Sequence, residues 1–188
     1  MKNKIFLLLL IILFSKISMA QTITFDKSFL AGPATQILQT DGGGYLVYWP
    51  TSDSRYTLND ITFIKTDQYG YTELIKSYSD ISYPTQRINK TLDGGYVAAA
   101  SKMNGLKEDS YLMKFDQNLD TVWTRTFGNP DLTEYGRSII QLPDSSFIFA
   151  SWDAGYIHLR KLNKYGGLIW YKKIGTLNTA SWSQPSLL

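Results

Sequence analysis

The chain has 188 residues, no cysteine, and 19 basic against 16 acidic side chains, a formal net charge of +3. The lack of cysteine excludes a disulfide scaffold and a thiolate metal site. Lys2, Lys4 and Lys16 lie in the first twenty residues, which contain no acidic residue, so residues 21–188 carry 16 basic and 16 acidic side chains. A net charge near zero gives no support for a nucleic-acid partner or an anionic membrane surface.

The first twenty residues have the layout of a secretory signal peptide. A basic start precedes an apolar run at residues 5–14, and the small-residue site Ser18-Met19-Ala20 follows. The run is shorter than the ~20 residues of a membrane-spanning helix, although a short membrane anchor is the alternative. We therefore expect cleavage after residue 20 and an exported protein, periplasmic, cell-surface or extracellular, with no membrane contact after cleavage.

A repeat of about fifty residues fills most of the remaining chain. Its aromatic marker recurs at intervals of 51 positions, at Tyr45, Tyr96 and Phe147. An Asp-Gly-Gly turn precedes the first two markers and Asp-Ser-Ser precedes the third. Such turns favour tight hairpins, and the flanking segments are rich in β-branched and aromatic residues without a helical period. Each repeat is therefore predicted to form four short antiparallel strands.

In chain order the sequence predicts an all-β, β-propeller-like array of four-stranded antiparallel blades. Residues 22–30 match the fourth strand of a repeat and are predicted to form an orphan closing strand. Blades are predicted at about residues 34–79, 83–129 and 134–175, and residues 176–188 match the start of a next blade. A β-sandwich of unrelated hairpins is the alternative.

The repeat resembles propeller-type repeats found in many exported bacterial proteins. The second repeat contains Asp-Gly-Gly-Tyr at residues 93–96, Tyr-Leu-Met-Lys-Phe-Asp at 111–116 and Val-Trp-Thr-Arg-Thr-Phe-Gly at 122–128. The hairpin followed by Trp is also similar to the docking motif of quinoprotein propellers. Both resemblances imply a blade rather than an activity, and the first repeat departs from the pattern with Leu74 in place of Trp. We expect no cofactor.

Three blades are fewer than the ~4 that a propeller needs to close. The sequence therefore favours the front part of a longer, truncated propeller. A homo-oligomer that completes one ring is the second hypothesis, and a non-functional gene remnant is the third.

Residues that recur in every repeat are predicted to be architectural. Lysines recur at one strand position, at Lys65, Lys114 and Lys161, and we expect them to form pairs within or between blades. The aspartates that open the first turn of each repeat lack the pattern of a calcium loop and are predicted to be turn-formers: Asp41, Asp93 and Asp144. His158, the only histidine, is predicted to pack within a strand; a base paired with an unidentified Asp is the alternative.

Residues that break the repeat are the candidate ligand contacts: Trp49, Arg55, Trp152 and Tyr156. Loop aromatics beside polar groups bind sugars or anchor a protein partner, and packing between blades is the alternative. The predicted function is a non-catalytic, secreted or surface-exposed module for protein or glycan interaction. The alternative is the N-terminal portion of a glycan-active or quinone-dependent propeller enzyme, with its catalytic residues in blades missing here.

Overall fold

A computed structural model describes residues 36–52, 59–82, 87–129, 131–153 and 155–175. In this part of the chain, twelve strands form three four-stranded antiparallel sheets, and no helix is present. The all-β prediction is confirmed. The predicted signal peptide, the orphan strand at 22–30 and the segment 176–188 lie outside the described residues. The described segments accordingly include no helix long and apolar enough to cross a membrane.

Each sheet contains four strands that are consecutive in the sequence and hydrogen-bonded in chain order. The first sheet consists of β1 (Gln36–Gln39), β2 (Tyr45–Ser52), β3 (Asn59–Thr66) and β4 (Thr72–Ile81). The second consists of β5 (Ile88–Lys90), β6 (Tyr96–Asn104), β7 (Lys107–Phe115) and β8 (Thr121–Phe127). The third consists of β9 (Glu134–Gln141), β10 (Phe147–Asp153), β11 (Tyr156–Leu162) and β12 (Leu168–Ile174). The prediction of four strands per repeat is confirmed.

The turn between the first and second strands has the same form in all three sheets. It places a residue at positive φ, namely Gly43 at 81°, Gly94 at 78° and Ser145 at 65°. Glycine adopts this conformation without steric cost, whereas Ser145 does not. The carboxylates of Asp93 and Asp144 accept hydrogen bonds from main-chain N–H groups two residues on, at 3.2 and 2.9 Å. Their predicted role as turn-formers is confirmed.

The turn between the third and fourth strands is built on one side-chain oxygen. The Oδ1 atoms of Asp67, Asp116 and Asn163 each accept hydrogen bonds from the N–H groups two and four residues later, at 2.8 to 2.9 Å. Each of these Asx turns closes its hairpin through side-chain-to-backbone hydrogen bonds. The segment that most resembles a calcium loop in the sequence, at residues 116–120, is one of them.

The three sheets stack face to face. We call the face of a sheet that points to the next repeat its forward face, and the opposite one its rear face. One core joins the forward face of the first sheet to the rear face of the second, with residues including Leu46, Tyr48, Phe63, Tyr96, Ala98 and Phe115. A second core joins the forward face of the second sheet to the rear face of the third: Val97, Ala99, Leu112, Ile139, Phe147, Phe149 and Leu162.

Burial along the strands shows which faces are covered. The strand β6 is buried at its first six consecutive positions, so both faces of the second sheet are covered. The strand β10 instead alternates between buried and half-buried residues, so only its rear face is covered. The strand β12 is exposed along its whole length. The third sheet therefore has an open forward face.

Candidate functional site

Buried polar side chains meet between the second and third sheets, near the hairpin that joins β10 to β11. Glu134 begins β9 and is 3% exposed. Its Oε1 accepts hydrogen bonds from Arg160 Nη1 at 2.7 Å and from Ser151 Oγ at 2.6 Å, and its Oε2 accepts one from Arg160 Nη2 at 3.0 Å. Ser110 Oγ, from β7 of the second sheet, lies 2.8 Å from Oε1. The ion pair lies within the third sheet, and the contact of Ser110 with Glu134 ties that sheet to the second.

The environment keeps Glu134 ionised. Burial alone raises the pKa of Glu134, but hydrogen bonds from Arg160, Ser151 and Ser110 and the charge of Arg160 outweigh it, and the pKa falls below its usual 4.5. The Arg160 guanidinium also lies over three aromatic rings, at 5.0 Å from Phe127, 5.2 Å from Tyr171 and 5.8 Å from Phe149. Since both carboxylate oxygens are engaged, Glu134 acts as a structural tie rather than as an acid or base.

His158 lies beside this cluster on β11 and is buried. Its Nδ1 lies 2.8 Å from the hydroxyl of Tyr171, and its Nε2 lies 3.0 Å from Asp153 Oδ2, without the alignment of a hydrogen bond. The packing of His158 within a strand is confirmed, and Asp153 is the carboxylate beside it.

Tyr171 is 45% exposed, so the series of Tyr171, His158 and Asp153 runs from solvent to a buried carboxylate. The phenol and imidazole stack with ring centroids 5.7 Å apart. The three side chains lie on β12, β11 and β10, and their contacts link these strands.

Trp152 lies within β10, and its placement in a loop after the strand was wrong. The strand continues to Asp153, which pairs with Tyr156 of β11, so only residues 154 and 155 connect the two strands. Trp152 is half-buried and stacks on Tyr135 of β9, with ring centroids 5.8 Å apart and planes 22° apart.

A β-bulge places a cation over this aromatic pair. Ala150 pairs with Ser138 and Ser151 pairs with Gly136, so Arg137 is the extra residue of β9. Its guanidinium lies 5.6 Å from the ring centroid of Tyr135 and 5.7 Å from that of Trp152. Bulges re-aim side chains in this way, often beside functional sites. We call Tyr135, Arg137 and Trp152 the aromatic platform.

Tyr156, the other candidate contact whose side chain the structure describes, does not join this platform. Tyr156 begins β11 opposite Asp153, on the rear face, whereas Trp152 pairs with Ile157 on the forward face. Lys173 Nζ lies 3.7 Å from the centroid of the Tyr156 ring. Trp49 pairs with Thr62 in the first sheet, but its side chain and the whole of Arg55 lie outside the described residues.

Two of the recurrent lysines pair with the turn aspartate of their own repeat. Lys114 Nζ lies 2.9 Å from Asp93 and Lys161 Nζ lies 3.3 Å from Asp144, so the expected pairing within repeats is confirmed for both. Hydrogen bonds from Ser146 hold the pKa of Asp144 at about 2. These lysines stabilise turns.

The described residues offer little to a metal ion or a small ligand. Among them no three His, Asp or Glu side chains are grouped so that they could hold a metal. A pocket of about 450 Å³ lies between the turns of the first two sheets and is lined by residues that include Asp41, Lys65, Asp67 and Glu73. Its mixed charges are typical of solvated turns and specify no ligand.

No family model matches the chain. No curated protein matches it either. Among solved structures, the chain is similar to a protein of unknown function from Bacteroides caccae, with 13% identity, 77% of this chain and 70% of the other covered, and a TM-score of 0.28. A similarity at that level supports no inference about fold or function, which rest here on the residues themselves.

Most residues of these clusters were missed from the sequence, among them Glu134, Tyr135, Arg137 and Arg160. Glu134 and Arg160 are 26 positions apart on strands that are not neighbours. One local difference between the repeats could have pointed to them. The strand β9 is longer than the equivalent three-residue strand β5, and the extra residues at its start are Glu134-Tyr135-Gly136-Arg137.

Proposed function

We propose that this chain is an exported, non-catalytic binding module whose sheets are arranged like blades of a β-propeller. Support comes from the shared strand order of the three sheets and from the packing of each forward face on the next rear face. Propellers repeat four-stranded sheets in this manner. The binding partner is a protein or a glycan, reached through the aromatic platform.

The observation that carries the proposal is the departure from the repeat at Trp152. The equivalent residue of the second sheet is Ser101, 51 positions earlier, which is fully buried. Its Oγ accepts a hydrogen bond from Gly136 N of the next sheet at 3.2 Å. The third sheet instead has a large aromatic residue at this place, half-buried and stacked on Tyr135. Breaks in an otherwise regular pattern concentrate at functional sites.

The composition of the platform favours a protein partner. Trp, Tyr and Arg are the residues most enriched in the energetic centres of protein interfaces, because they combine large apolar faces with polar groups. Arg137 is exposed and carries a positive charge, which suits a carboxylate on the partner. A sugar ring stacked on the aromatic faces is the glycan form of the same site.

The test compares the purified chain with Trp152→Ala and Arg137→Ala on a panel of envelope proteins and glycans, followed by titration of the best binder. We expect each substitution to raise Kd about 30-fold, equivalent to about 2 kcal/mol, with an unchanged melting temperature. The matched control is Tyr165→Ala, an exposed aromatic in the turn after β11. Equal losses in all three variants would contradict the site, and so would unfolding of Trp152→Ala.

A further inference from the structure

The fourth strands of the first two sheets contact the next sheet at equivalent positions, in the turn between its third and fourth strands. From β4, Lys76 Nζ donates to Asp120 Oδ1 at 2.6 Å and the Tyr78 hydroxyl donates to the carbonyl oxygen of Leu119. Both acceptors lie in the turn between β7 and β8. The contact is therefore made by the outer strand of one sheet on the outer turn of its successor.

The second sheet repeats this contact with different side chains. From β8, Arg125 donates from Nε to Gly166 O at 3.2 Å and from Nη2 to Tyr165 O at 2.6 Å. Trp123 Nε1 donates to Lys164 O at 3.3 Å, and its ring meets Phe147 edge-on with centroids 5.6 Å apart. All three acceptors lie in the turn between β11 and β12, so the interface between sheets recurs by position.

The third sheet presents the same set of groups without a described neighbour. Trp170 pairs with Lys161 as Trp123 pairs with Lys114, and Lys172 pairs with Leu159 as Arg125 pairs with Leu112. The forward face of the third sheet thus carries an indole and a cation at the positions where the second sheet uses them. Trp170 is 36% exposed, and Lys172 is exposed as well.

The apolar centre of that face matches too. Val97, Ala99 and Leu112 are fully buried under the third sheet. Their equivalents in the third sheet are Ile148, Ala150 and Leu159, which are nearly the same side chains but only half-buried. An aliphatic patch with an indole and a cation at its edge is thus left uncovered by any described residue.

We propose that Ile148, Ala150, Leu159, Trp170 and Lys172 form a docking surface for a further four-stranded repeat of the same kind. The proposal rests on the propeller-like arrangement proposed above and adds what the incoming repeat must present. Its second strand carries a bulky apolar residue against Trp170, as Phe147 does against Trp123. Its outer turn presents main-chain carbonyl oxygens to Trp170 and Lys172.

Two features restrict the identity of the occupant. On the rear face of the first sheet, Thr62, Ile64 and Thr66 of the central strand β3 are buried while Ile37 of the edge strand β1 is 61% exposed, so a second copy of the chain offers only a partly open face for end-to-end stacking. Gly136 of the third sheet lies close to Ser101 of the second, but the third sheet has Trp152 at the position equivalent to Ser101. The incoming repeat cannot approach as closely there and must leave room for the aromatic platform. A separate repeat, rather than a second copy, fits both.

The experiment inserts a second copy of residues 129–175 directly after Gly175 of the full chain, so that residues 176–188 follow the added copy. Mass spectrometry then measures hydroxyl-radical oxidation of Trp170 and acetylation of Lys172. We expect both rates to fall at least fivefold relative to the unextended chain. The matched control carries Phe147→Asp and Phe149→Asp in the added copy only, which leaves the three original sheets unchanged, and we expect it to restore the original rates.

Each other outcome counts against the proposal. Unchanged rates in the extended chain would overturn it, as would equal protection by the control. Concentration-dependent protection of Trp170 in the unextended chain, with a discrete dimer by light scattering, would assign the face to a second copy. The binding test on the aromatic platform uses the unextended chain, so failure of the docking surface and failure of the proposed function are distinguishable.

Discussion

Glu134 and Arg160 form a two-point ion pair across the width of β10, with both carboxylate oxygens bound to the guanidinium at 2.7 and 3.0 Å. The two residues lie on strands that are not hydrogen-bonded to each other. Removing two charges from water costs nearly as much as their attraction returns, so the pair itself adds little stability. Breaking it is different, because one charge then remains buried alone.

Glu134→Gln is therefore expected to lower the free energy of unfolding by about 3–5 kcal/mol, because the charge of Arg160 stays buried without its counter-ion. Urea unfolding followed by tryptophan fluorescence measures the change. The double variant Glu134→Met with Arg160→Met removes both charges and is expected to lose much less. A double variant less stable than Glu134→Gln would show that the pair stabilises the fold in its own right.

Acid is expected to weaken the same contact. The pKa of Glu134 is lower in the folded chain than its usual 4.5, so its stabilising contribution is complete above pH 4.5 and is lost as the pH falls through the folded value. Urea unfolding between pH 7 and pH 3 should show stability falling below about pH 4.5. The methionine double variant should show a shallower fall, and identical pH profiles would assign the acid sensitivity to other carboxylates.

Gly136 of the third sheet lies in close contact with the backbone of the second sheet at Ala100. A Cβ on Gly136 would lie 2.1 Å from the carbonyl oxygen of Ala100, whereas one on Gly42 would meet nothing within 4 Å. Gly136→Ala is expected to cost about 1–3 kcal/mol through overpacking, and Gly42→Ala to stay within about 0.5 kcal/mol of the parent. Thermal and urea unfolding of both variants check this, and a neutral Gly136→Ala would show that the sheets separate easily there.

Ser145 holds a left-handed conformation, φ 65°, that the other repeats assign to glycine. Ser145→Gly relieves this strain and is expected to raise stability by up to about 1 kcal/mol, partly offset by the greater freedom of glycine in the unfolded chain. Gly94→Ser is the reverse change and is expected to lower stability by a similar amount. The prediction fails if the two substitutions shift the melting temperature in the same direction.

The sequence predicted the sheets because their signals are local. Turn residues and alternating apolar segments lie within a few positions of the hairpins they specify, and antiparallel neighbours follow one another in the chain. Asp93 and Asp144 could be assigned to turns for that reason. The stacking of one sheet on the next, which sets burial, depends on contacts about fifty residues apart.

The candidate site was predicted less well, for reasons of register. Trp152 and Tyr156 look adjacent in the sequence, but neighbouring positions of a strand point to opposite faces. Since Tyr156 pairs with Asp153 rather than with Trp152, the two aromatics are separated by the sheet. Arg137 reaches Trp152 only through a bulge, which shifts one strand against the other and has no marker in a single sequence.

Because the second sheet is covered on both faces and the third on one, the strands that the structure describes share no single core. In such arrays the free energy is a sum of terms for each unit and for each interface between neighbours. Unfolding is then expected to begin at the third sheet, which is covered on one face, and to proceed to the second. We expect amide hydrogen exchange to be fastest along β12 and slowest in the middle of β6, with the contact between Ser110 and Glu134 among those that hold the third sheet to the second.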